Sequence, residues 1–99
     1  MENRIDYEAH AELLKALAHP VRLQIIHGLL KMGCRNVRCM EHHLGISQSS
    51  ISQHLQRLRA VGAVTGERCG NEVYYRVDSA YLAQLMAAMT GEEAQGYVL

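Results

Sequence analysis

Apolar residues return along the start of the chain at the spacing of a helix. From Tyr7 to Leu17, the residues Ala9, Leu13, Leu14, Ala16 and Leu17 share one stripe, and Glu8, Glu12 and Lys15 lie opposite. The pattern predicts a first helix over about 6–17. The His19-Pro20 step breaks it, and Pro20 suits the start of a second helix because its missing N–H would have no partner there. That helix should run from about Pro20 to Met32, with Val21, Ile25, Leu29 and Met32 on one side and Gly33 as its stop. Asn36 is placed to cap a short third helix, Val37 to Leu44. Gly45-Ile46-Ser47 then makes a tight turn. A fourth helix is expected from Gln48 to Val61, with Ile51, Leu55 and Leu58 in a single apolar seam and Gly62 closing it.

The period then changes from helix to strand. Val64 to Arg68 and Val73 to Val77 flank Cys69-Gly70-Asn71-Glu72, a turn sequence suited to a hairpin. Asp78 or Ser79 can cap a last helix over about 80–89, with Leu82, Leu85, Met86 and Met89 on one stripe and Gly91 beyond it. The final residues, Glu92 to Leu99, are expected to be loose. The resulting fold class is mainly α with a β-hairpin wing, in the order of a winged helix-turn-helix.

Composition narrows this further. At 99 residues the chain is expected to form one domain spanning 1–99, since a second core could not close in that length. Apolar residues make up 48%, enough for a core, but Trp and Phe are absent. Small helical domains often meet this shortage by sharing a core across a dimer. Apolar runs such as Leu23 to Leu30 are interrupted and too short for a bilayer, and the residues after Met1 do not resemble a signal peptide. A cytoplasmic location with no membrane partner is the expectation.

The formal net charge of zero conceals an uneven distribution. Between residues 31 and 76, Lys31, Arg35, Arg38, Arg57, Arg59, Arg68 and Arg76 face only Glu41, Glu67 and Glu72; the flanks are correspondingly acidic. A basic middle suits contact with a polyanion, although an ordinary solvated surface of uneven charge would read the same way.

The third and fourth helices, joined by a three-residue turn, have helix-turn-helix spacing. The free side of the fourth carries Ser49, Ser52, Gln53, Gln56, Arg57 and Arg59, with Gln48 at its start. Ser and Gln both donate and accept, as base edges in a major groove require, and Arg meets phosphates. Arg68 and Asn71 near the hairpin tip are placed for the neighbouring groove or backbone. A helix that is merely solvated would favour Glu and Lys, and residues 47–59 contain neither.

Three cysteines remain: Cys34, Cys39 and Cys69. In a cytosolic chain they suit metal, metalloid or redox chemistry better than structural disulfides. Cys39 falls in the first turn of a helix, near Arg35 and Arg38, where a thiolate is favoured. Two chemistries follow for Cys34 and Cys39. They can form a reversible disulfide or polysulfide link, or they can bind arsenite or a transition metal with help from His42 or His43. The plainer alternatives are a small buried hydrophobe at Cys39, an incidental wing residue at Cys69, and surface histidines at 42 and 43. His54 is expected at the helix edge near phosphate, and His10 and His27 show no partner in sequence.

The stretch Leu17-Ala18-His19-Pro20-Val21-Arg22-Leu23-Gln24-Ile25-Ile26 resembles the opening signature of the ArsR/SmtB family of winged-helix repressors. Leu44 to Leu55, Leu58 to Val64 and Val73 to Val77 resemble its recognition-helix segment and second wing strand. The resemblance implies a homodimer joined by the first and last helices, bound to an inverted-repeat operator in double-stranded DNA and released by an effector. It also implies that Gln48, Ser49, Ser52 and Gln53 occupy DNA-contacting positions. The chain departs from the family's sensing motifs: Asn36-Val37-Arg38 stands where the arsenic and cadmium type has Cys-Val-Cys. After Asp78 the last helix has no His for a zinc site, and His27 replaces the second-helix cysteine of persulfide sensors. No Gly-rich phosphate loop or catalytic triad supports an enzyme. A small metal- or redox-binding module that meets protein and not DNA is the competing reading.

Overall fold

A computed structural model describes residues 4–32 and 35–98. Its helices are α1 (Tyr7–Leu17), α2 (Pro20–Met32), α3 (Val37–Leu44), α4 (Gln48–Ala60) and α5 (Ala80–Thr90). Strands β1 (Thr65–Cys69) and β2 (Glu72–Arg76) lie between α4 and α5, and a turn of 3₁₀ helix, Ala94–Gly96, follows α5. This is the winged helix-turn-helix order that the periodicity predicts. The expected stop of α2 at Gly33 and the thiol of Cys34 lie outside the described residues.

Local side-chain chemistry sets the helix starts. Asp6, Asn36, Ser47 and Ser79 each accept the backbone N–H three residues on, from Ala9, Cys39, Ser50 and Leu82. Each such cap typically contributes about 1 kcal/mol. At α2 an imidazole does this work, His19 Nδ1 accepting the Val21 N–H at 3.1 Å. A neutral His19 ring therefore carries its proton on Nε2. At the other end of α4, Ala63 N–H reaches Leu58 O (2.9 Å) and Gly62 N–H reaches Arg59 O (3.0 Å). That pattern needs a left-handed residue, which Gly62 supplies at φ 77°, and α4 ends at Ala60, one residue before the expected Val61.

The core is built around α2. Ile25, Ile26, Leu29 and Leu30 are all buried, a wider side than the Val21, Ile25, Leu29, Met32 stripe suggests, because α1, α4 and β2 pack around α2 together. The α4 seam of Ile51, Leu55 and Leu58 is sealed against it, as are Leu82, Ala83 and Met86 of α5.

Four expectations change. The hairpin turn is only Gly70-Asn71, since Cys69 and Glu72 pair across the strands. Gly70 takes φ 64° and Asn71 does not turn positive, the pattern of a tight II′ hairpin. Val64 and Val77 leave the sheet for the core instead of belonging to it. The chain after α5 is docked, not loose: Val98 N–H donates to Leu30 O at 2.6 Å, and Tyr97 packs on the core. Its anchor is Glu92, whose carboxylate accepts from His27 Nε2 (2.6 Å), Lys31 Nζ (2.9 Å) and the Tyr97 hydroxyl (2.8 Å). Finally, Leu14 and Met89 stand about half exposed, at 45% and 52%.

Arg35 forms an isolated bridge to Tyr75, with Arg35 N–H to Tyr75 O at 3.0 Å and Tyr75 N–H to Arg35 O at 2.7 Å. The residue leading into α3 thus joins the wing as a third-strand remnant.

Candidate nucleic-acid interface

Because Ile51, Leu55 and Leu58 fix one side of α4 in the core, the opposite side is held outward by packing. Gln48, Ser49, Ser52, Gln53 and Gln56 line a single shallow hollow open to solvent. Ser49 touches the capping Ser47 hydroxyl at 3.3 Å. Among the described residues the amides of Gln48, Gln53 and Gln56 have no protein hydrogen-bond partner, so their donors and acceptors are available to a ligand.

The flanks divide the remaining candidates. Asn71 at the wing tip lines a hollow shared with Gln48, Val37, Arg38, Glu41 and Glu72, so the wing and the start of α4 border one surface. Arg38, exposed there, is a cation that the sequence reading counted as charge but did not place at the interface. Arg68 is exposed on β1. Arg57, one turn after Gln53, lines a separate hollow with Glu12, Lys15 and Ala16 of α1. Arg59 reaches toward Gly66 of β1.

His54, expected at the helix edge near phosphate, lies against the start of α2. It is half-buried, its ring 4.6 Å from that of His19. Burial, then the neighbouring His19, Arg22 and Arg57, push its pKa below the usual histidine value.

The sensing candidates are only partly assembled. Cys39 is half-buried, with its N–H held by Asn36 Oδ1 (2.8 Å) and its Sγ 3.3 Å from Arg35 Nη1. Asn36 also donates to Glu72 of the wing. His42 and His43 are exposed and meet edge to face at 6.0 Å, and Cys69 is exposed on the hairpin. Among the described residues no three His, Cys, Asp or Glu side chains gather as a metal site.

Apolar side chains are also exposed: Tyr7 and Leu14 of α1, Tyr81 and Met89 of α5, and Ile5 and Val98 outside these helices. His10 packs edge-on against Tyr81 at 5.9 Å, which brings α1 and α5 together.

A helix-turn-helix with an outward polar second helix and an adjoining wing defines a winged-helix transcription regulator. The family model for bacterial regulatory proteins of the arsR family matches residues 19–65. The chain is 43% identical over 90 residues to the HTH-type transcriptional repressor SmtB of Mycobacterium tuberculosis, covering 88% of this chain and 66% of that protein. The crystal structure of the repressor PagR of Bacillus anthracis superposes with a TM-score of 0.78 at 34% identity, over 85% of this chain and 95% of PagR. The repressor BigR from Xylella fastidiosa gives 0.77 at 38% identity, over 86% of each chain. The chain belongs to the arsR family. Among the described residues no helix is long and apolar enough to cross a membrane.

Proposed function

We propose that this protein is a cytoplasmic, sequence-specific DNA-binding repressor that acts as a homodimer and has no catalytic role. The carrying observation is the uncovered row Gln48, Ser49, Ser52, Gln53 and Gln56, fixed outward by the buried seam behind it. Amide side chains of this kind pair bidentately with adenine in the major groove, while Arg57, Arg68 and Asn71 flank the row for backbone contacts. The exposed apolar residues of α1 and α5 suit a second copy of the chain. Two-fold symmetry would then set two α4 helices about 34 Å apart, matching an inverted repeat.

Release from DNA is assigned to thiol chemistry at Cys39 with Cys34. Oxidation to a disulfide takes two electrons and two protons from the pair, and a peroxide acceptor leaves as water. Arg35 and Asn36 touch Cys39 and also tie α3 to the wing, so a change at the thiol pulls on both DNA-facing elements. Arsenite or a transition metal held by Cys34, Cys39 and His42 or His43 is the other effector chemistry these residues suit, with Cys69 as a further donor.

Fluorescence anisotropy with duplexes of random and palindromic sequence tests the reading. Binding should prefer palindromes and weaken steeply with salt. Absence of duplex affinity at low salt would overturn it and favour a module that binds metal or oxidant without DNA.

A further inference from the structure

Arg22 is the one buried charged residue among those described, at 9% exposure, and its Nε and Nη1 are sealed from solvent without a hydrogen-bond partner. A buried guanidinium with unmet donors is costly and calls for a partner. Arg22 sits in the first turn of α2, a 13-residue helix whose positive dipole end lies there. His19, at the same helix start, turns Nε2 away from the Val21 N–H that occupies its Nδ1. Across from it stand His54 and, one turn further along α4, Arg57. Four groups capable of positive charge thus meet between α2 and α4.

The acids nearby do not neutralise them. Glu12 shares a hollow with Arg57 but is paired with Lys15 at 3.0 Å. Among the described residues, no carboxylate forms an ion pair with Arg22, Arg57, His19 or His54. Burial first, then His19, Arg22 and Arg57, lower the His54 pKa, and no carboxylate is among the causes. Arg57 also stands one turn after Gln53, so the cluster borders the polar row of α4.

We propose that Arg22, His19, His54 and Arg57 form a binding site for a phosphate-type oxyanion, reached through the exposed Arg57 and the half-buried imidazoles. Two sources share this chemistry: a phosphodiester on the strand bordering the groove that Gln53 faces, or free inorganic phosphate. The first source rests on the DNA-binding reading, and the second does not. The exposed Arg57 guanidinium and the imidazole N–H groups donate to the anion, and the buried Arg22 charge and the helix end add favourable potential.

The test follows the imidazole resonances of His54 by NMR in the full chain, at constant ionic strength. In one arm inorganic phosphate replaces chloride; in the other a random-sequence duplex is added. A bound anion should raise the apparent pKa of His54 by on the order of half a unit or more, leaving exposed His42 and His43 unmoved. Arg22→Gln and, because Arg22 is buried and its loss can unfold the chain, Arg57→Gln should each diminish the shift. A shift with phosphate assigns a free-oxyanion site. A shift with duplex only, accompanied in these variants by a salt slope reduced by about 0.9, assigns a backbone phosphate. No shift in either arm, a shift shared by His42, or one unchanged in both variants overturns the site. If no duplex binds at all, the DNA-binding reading fails, and the phosphate arm alone decides this one.

Discussion

His27 Nε2 donates to Glu92 Oε1 at 2.6 Å, joining the middle of α2 to the segment after α5. The second carboxylate oxygen accepts from Lys31 one turn further along α2, so one side chain fastens the tail to a whole turn of helix.

The consequence is a pH-dependent stability. The His27 and Lys31 hydrogen bonds, with that from Tyr97, hold the Glu92 carboxyl at about 2, against 4.5 ordinarily. A carboxyl with a depressed folded-state pKa adds stability above its unfolded pKa, and the gain fades as pH falls toward the folded value. The window for this group is therefore about pH 4.5 down to 2. In thermal melts, Glu92→Gln should lower Tm near neutrality and flatten its dependence on pH within that window. A variant that melts in parallel with the parent across it would show that the contact contributes nothing.

How legible these features are in sequence depends on their range. The α4 row, the caps at Asn36 and Ser79 and the stop at Gly62 rest on residues within one or two turns of each other, and periodicity finds them. His27 and Glu92 are 65 positions apart, and neither carries a local pattern that points to the other. The Arg35–Tyr75 bridge is a single residue pair, too short for any strand period to register. His54 can be placed on the helix edge from its own helix, but the approach of His19 from the start of α2, 35 positions away, has no local pattern. Leu14 and Met89 lie on apolar stripes wider than one chain can cover. The thiol pair is legible as chemistry, yet its geometry depends on Cys34, outside the described residues.

Gln53→Ala removes an amide from the centre of the exposed row while leaving the seam behind it intact. Operator discrimination should fall by about 1–3 kcal/mol at the base it reads, with little loss on random sequence. Binding titrations against single-base variants of the selected palindrome measure this. Equal loss on every sequence would make Gln53 a backbone contact instead.

Cys39→Ser keeps the α3 cap, because Asn36 binds the backbone N–H of residue 39 and not its thiol. DNA affinity should therefore stay within about twofold, a few tenths of a kcal/mol. Release by peroxide, polysulfide or arsenite should be lost, as read by anisotropy of a preformed complex alongside mass spectrometry of the protein. A variant still released by all three would remove Cys39 from the switch.

Leu14 and Met89 expose apolar side chains on the two helices that His10 and Tyr81 hold together. Such a surface gains by pairing with a copy of itself, at roughly 25 cal/mol per Å² of apolar area covered. A charge placed within it must be desolvated on association, so Leu14→Glu and Met89→Glu should shift sedimentation toward the monomer. Each chain should keep its helical signal, since neither side chain is in the buried core. Affinity for a single half-site should persist while affinity for the full inverted repeat drops at least tenfold, or about 1.4 kcal/mol. If both variants sediment as the parent does and bind the full site unchanged, this face does not pair copies of the chain.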